Sequence, residues 1–192
     1  FPLDDRLFVA HQVLDAQGAV EPAMDAVHAV VPQVVDQTGA LPERLAGNRP
    51  LVDAGSTDPG PYYLGAGLSF TDRTAVKRDL SIMIKGALDE GIPLIIGTAG
   101  GSGADIHLGW CVDIVREILN ENRFSARVAV ISAEIDKEIV LESYLKNEIV
   151  PLDFVPEMKE EDITDSTRIV AQMGMGPIME SLEKGAEIII AG

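Results

Sequence analysis

The chain has 192 residues, 46% of them hydrophobic, enough to bury a real core in one domain with a small appendage and too apolar for wholesale disorder. Its 31 acidic and 15 basic residues give a formal charge of −16, which repels phosphate backbones and anionic lipid, so neither nucleic acid nor a membrane is an expected partner. A single cysteine excludes an internal disulfide framework and points to a reducing, cytoplasmic setting, and no apolar run is long enough to cross a bilayer.

The chain opens Phe1-Pro2-Leu3-Asp4-Asp5, without the basic and apolar regions of a secretion signal and without an initiating Met, so a processed chain or a piece of a longer one is expected. Apolar positions Leu7, Val9, Ala10, Val13 and Leu14, and then Met24, Val27, Val30, Val31 and Val34, recur at roughly helical spacing. Pro32 would kink or end the second of these. Gly39, Pro42, Gly47 and Pro50 mark an irregular connection, so residues 1–49 are expected to form a helical appendage to an α/β domain over 50–192.

From Pro50 the pattern alternates. Residues 51–54 read as a short strand running into Gly55-Ser56-Thr57-Asp58-Pro59-Gly60-Pro61, where no regular element is expected to continue. Thr71 and Asp72 can cap a helix whose apolar face is Val76, Leu80, Met83, Ile84, Ala87 and Leu88, closed by Gly91. Residues 92–96 read as a buried strand and residues 97–103 as a glycine-rich turn. A helix follows with Ile106, Trp110, Cys111, Ile114, Val115, Ile118 and Leu119 on one side. Residues 126–132 read as a strand, 136–147 as a helix, 162–173 and 177–184 as two further helices, and 187–191 as a final strand. Strands separated by helices of this length predict an α/β fold with a mostly parallel, doubly wound sheet and helices on both faces.

Ligands of open parallel sheets bind outside the carboxyl ends of the strands. That places the candidates at residues 53–67, 97–105, 132–137 and beyond Ala191. Gly97, Thr98, Gly100, Gly101, Ser102 and Gly103 belong to a segment with four glycines in seven residues, able to bring backbone N–H groups close to a carboxylate or phosphate or simply to turn tightly. The segment fits neither nucleotide fingerprint, so no nucleotide cofactor is implied. Asp53 and Asp58, with Ser56 and Thr57 between them, can orient a substrate, accept a proton or ligate a divalent cation, and equally can satisfy turn N–H groups. Tyr62 offers a phenol donor or a pocket wall. His107, at the start of a helix beside the glycine turn, can serve as general acid or base or stand as an exposed first-turn residue. Glu134 and Asp136 either line the cleft or complement a helix dipole. Cys111 has only apolar helical neighbours and reads as a packing residue.

Asp53-Ala-Gly-Ser-Thr-Asp-Pro-Gly-Pro-Tyr-Tyr-Leu-Gly followed by Ala75-Val-Lys-Arg-Asp-Leu resembles the acyclic terpene utilisation family, as do Ile92-Pro-Leu-Ile-Ile-Gly-Thr-Ala-Gly-Gly-Ser-Gly and Ala186-Glu-Ile-Ile-Ile-Ala-Gly. The resemblance covers about residues 50–192 and implies the N-terminal half of a larger architecture. It also implies a catabolic enzyme or enzyme subunit acting on an organic acid or its thioester, of lyase or hydratase type. The glycine turn would then hold the carboxylate, Asp53 or Asp58 would orient the substrate or a metal, and His107 or Glu134 would move the proton. A non-catalytic binding or scaffold domain that needs a partner subunit, or assembles with copies of itself, is the alternative.

Overall fold

The computed structural model describes residues 11–14, 51–53, 61–150, 158–172 and 174–192, which form an α/β fold around one five-stranded sheet. In chain order the elements are β1 (His11–Leu14), β2 (Leu51–Asp53), α1 (Pro61–Ala66), α2 (Arg73–Glu90), β3 (Leu94–Gly97), a 3-10 turn (Ala99–Gly101) and α3 (Asp105–Asn122). Then come β4 (Val128–Ile131), α4 (Lys137–Leu145), α5 (Glu160–Thr164), α6 (Gly176–Glu183) and β5 (Ile188–Ala191). The strands lie in the order β1-β4-β5-β3-β2; β2, β3, β5 and β4 are parallel, and β1 runs antiparallel along the far edge of β4.

This order explains which helix covers which face. The steps from β2 to β3 and from β3 to β4 advance in one direction, and the step from β4 to β5 reverses. Crossovers of one hand put helices from opposite steps on opposite faces. Accordingly Leu94, Ile96, Ile188 and Ile190 face Leu80 and Ile84 of α2 and Ile114, Val115 and Ile118 of α3, while Ile95, Ile189, Ala129 and Ile131 face Ile178 and Leu182 of α6. The strand period of two thus divides a continuous isoleucine run between two cores. Every residue of β5 is buried, as a central strand requires.

Helix α2 starts where Asp72 accepts hydrogen bonds from the Thr74 and Ala75 N–H groups, and it ends at Gly91 in the left-handed region. Arg73 and Lys77 reach across to Glu117, and Lys77 also to Glu121, so α2 and α3 are joined by an exposed ion network as well as by their cores. Its hydrogen bonds to Glu121 and Glu117 hold the Lys77 ammonium above its ordinary value, and those that Glu117 accepts from Arg73 and Lys77 hold it below the usual carboxylate range.

Three local expectations are corrected. Residues 11–14, expected within a helix, form a strand: the edge of β4 presents unpaired backbone groups, and His11–Leu14 pair with Ile131–Val128. The remainder of the expected helical appendage lies outside the described residues. The helix expected over 162–173 ends at Thr164, because the chain beyond it pairs instead with the loop after β4, through Ile135 N–H to Ile169 O and Ala171 N–H to Ala133 O. Residues 61–66, read as irregular, are helix α1, with Pro61 at its first position, where the missing N–H has no helical partner to lose.

Candidate functional site

The carboxyl ends of β2 and β3 lie side by side, with Asp53 opposite Gly97 in register. Ser56, Thr57 and Asp58 fall outside the described residues. From Gly97 the chain turns through Thr98, a β-branched residue in the left-handed region at φ 49 and ψ 47, a strained conformation that surroundings must impose. The glycines beyond Thr98 pack against the protein itself. A Cβ on Gly100 would collide with the His107 carbonyl group, and one on Gly103 would lie 2.6 Å from the Gly192 carbonyl carbon. Gly101 meets the Phe70 ring, and Ser102 is half-buried. The glycines therefore let the turn nest between α3, the loop before α2 and the end of β5.

His107 is buried, 2% exposed, and is not a solvent-facing first-turn residue. Its Nε2 lies 3.1 Å from Tyr63 O and 3.2 Å from Leu68 O. Both partners are carbonyl oxygens, so Nε2 carries the proton and donates; Nδ1 is buried with no partner. The histidine clamps the end of α1 onto α3. Tyr62 stands on α1, 67% exposed.

A cleft of about 440 Å³ opens between the start of α3, the loop after β4 and the segment at residues 167–169. It is lined by Asp105, Glu134, Asp136, Lys137, Glu138 and Arg168 among others, and none of residues 97–103 lines it. One floor is a closed ring of three hydrogen bonds. The Asp105 N–H donates to Glu134 Oε2 at 2.8 Å, the Glu134 N–H to Ser132 Oγ at 3.3 Å, and the Ser132 hydroxyl to Asp105 Oδ1 at 2.5 Å. The Glu134 carboxylate thereby occupies the positive N-terminal end of α3.

The cleft's two cations have other partners. Arg168 Nη1 donates to Gly65 O at 2.6 Å and Leu64 O at 3.2 Å, capping the last turn of α1, and Lys137 Nζ donates to Thr164 O at 3.1 Å at the end of α5. Both satisfy the loose carbonyls of short helices, and among the described residues neither forms an ion pair with the carboxylates beside it.

The structure thus brings together the ends of two foreseen segments, through Asp105, Ser132, Glu134 and Asp136, and sets His107 apart from the cleft. Sequence reasoning missed Arg168 because it falls where a helix was expected and its partners are main-chain atoms about a hundred residues away. Among the described residues no group of His, Cys, Asp and Glu side chains is placed to hold a metal ion, and no helix is long and apolar enough to cross a membrane.

Cys111 packs in the core, 1% exposed, and burial pushes its thiol up to about 11. The native thiol is expected to resist alkylation at pH 8 and to react only as the chain unfolds, which a timed labelling experiment with mass detection checks. The folded thiol titrates above its unfolded value. Its contribution to stability is therefore complete below the unfolded pKa, near 9.0, and is lost as pH rises through about 11.

A family model described as acyclic terpene utilisation family protein AtuA matches residues 72–192. No curated protein and no solved structure matches the chain.

Proposed function

The chain belongs to the acyclic terpene utilisation family, and from that premise we propose that its strand-end cleft binds a small organic acid or its acyl thioester, as a catabolic enzyme or enzyme subunit of lyase or hydratase type. The observation that carries this reading is the pairing inside one cleft of two cations, bonded among the described residues to carbonyl oxygens, with two carboxylates held at fixed positions. A lyase or hydratase needs a positive group on the substrate's carboxylate or carbonyl oxygen and a base beside the carbon that loses its proton. Arg168 and Lys137 supply the first; Glu134 or Asp105 supplies the second. The cleft volume suits a small ligand. Its acid-rich lining disfavours multiply charged anions, leaving a single carboxylate or a thioester as the fitting guest.

Calorimetric titration with short monocarboxylates tests the binding half. Arg168→Gln is expected to weaken binding about tenfold or more, the loss of one charge-assisted contact. Equal affinity of the wild type, Arg168→Gln and Lys137→Gln rejects the proposal. For the chemical half, Glu134→Gln is expected to lower turnover about a hundredfold or more while acid binding persists.

The ring of hydrogen bonds among Asp105, Ser132 and Glu134 favours a second reading, in which these carboxylates are structural and the domain binds its ligand for a partner subunit. On that reading Glu134→Gln lowers the melting temperature and leaves turnover of the assembled protein intact.

A further inference from the structure

We infer that the apolar shelf formed by Tyr62, Leu68, Phe70 and Ile106 is the subsite for the hydrocarbon portion of the ligand whose polar head occupies the cleft, an inference that rests on the cleft's binding an organic acid. Among the described residues eight large hydrophobic side chains stand exposed, and four of them lie on α1, on the connection from α1 to α2 and on the first turn of α3, whose Ile106 meets that connection at Gly67. Leu68 is 56% exposed and Ile106 is 49% exposed. The aromatic rings continue the surface edge to face, with 5.2 Å between the Tyr62 and Tyr63 centroids and 5.9 Å between those of Tyr63 and Phe70.

Gly67 is the seam between shelf and cleft. A Cβ there would lie 3.1 Å from both Ile106 Cδ1 and Arg168 Nη2, so the guanidinium that lines the cleft meets the same stretch of backbone as the shelf's isoleucine. Ile106 also comes directly after Asp105, whose backbone and carboxylate lie at the cleft. Adjoining surfaces of opposite character recognise a molecule that is charged at one end and aliphatic at the other. A compact acid such as acetate would use the cleft and leave the shelf in water.

The test is a calorimetric titration of the whole chain with acetate, butanoate, hexanoate and octanoate, repeated on a Leu68→Ser and Ile106→Ser double variant and on Arg168→Gln. Both shelf side chains are about half exposed, so the double variant is expected to fold, which circular dichroism checks. Affinity is expected to rise about twofold to fourfold with each added methylene. The double variant flattens that rise, whereas Arg168→Gln weakens every acid alike. Equal affinities along the wild-type series, or a rise that the double variant keeps, overturns the shelf and leaves the head site standing. Failure of all the acids to bind overturns both. A double variant that loses self-association in sedimentation, with its titration series unchanged, assigns the shelf to a second copy of the chain and overturns the inference.

Discussion

Gly100→Ala is expected to destabilise the fold by about 2–5 kcal/mol, a large part of the total stability of a domain this size. Gly100 sits at φ 73, where an alanine is strained by about 1–2 kcal/mol. Steric overlap costs more. The new Cβ would overlap the His107 carbonyl oxygen and lie 2.7 Å from both the His107 carbonyl carbon and Cβ. These atoms belong to the first turns of α3 and cannot swing aside as a flexible side chain could. Relief requires α3 to shift away from the turn, and overpacking of this kind adds about 1–3 kcal/mol. Gly109→Ala is the control, because it lies on the exposed side of α3 with nothing within 4 Å of the added Cβ. Gaining helix propensity there is expected to be neutral or stabilising by up to about 1 kcal/mol. Urea denaturation of both variants measures the contrast, and a Gly100→Ala midpoint matching that of wild type rules out this close packing of turn against helix.

The same packing explains why the glycine turn was legible as a special segment while what it packs against was not. Four glycines after a buried strand say that backbone must approach something closely; they do not say whether that something is a ligand or the protein's own α3 and Gly192. Strands β2 to β5 and the long helices were legible because their apolar periods are strong, whereas β1 was not. Asp72 and Gly91 bound α2 as their cap chemistry predicts, and the isoleucine run at 188–190 is the central strand. What was illegible is set by distant contacts. Val170 leaves the helical state because the loop after β4 offers a bridging partner at Glu134, and Arg168 enters the cleft only by that rearrangement. Glu134 was visible as an acid after a strand, but its role as the cap of α3 depends on a helix start 29 residues earlier.

His107→Leu is expected to lower stability by about 2–4 kcal/mol, with the loss concentrated at α1. The substitution puts an apolar side chain of similar bulk in place of the imidazole and removes the N–H that serves both Tyr63 O and Leu68 O. The Tyr63 carbonyl retains the Gly67 and Leu68 amides, so the heavier loss falls on Leu68 O. Helix α1 has only six residues, too few to persist on its own backbone bonds, so it depends on His107 and Arg168 to hold its final turn. Hydrogen exchange at the Gly67 and Leu68 amides should therefore accelerate far more than at the α2 amides. His107→Gln, whose amide can donate to the same oxygens, is expected to restore much of the protection. A buried clamp and a general base make opposite demands on this pair of variants. A clamp tolerates Gln and fails with Leu in proportion to stability. A base loses turnover with both, even where α1 stays protected, and that second pattern would return His107 to the chemistry and remove it from the architecture.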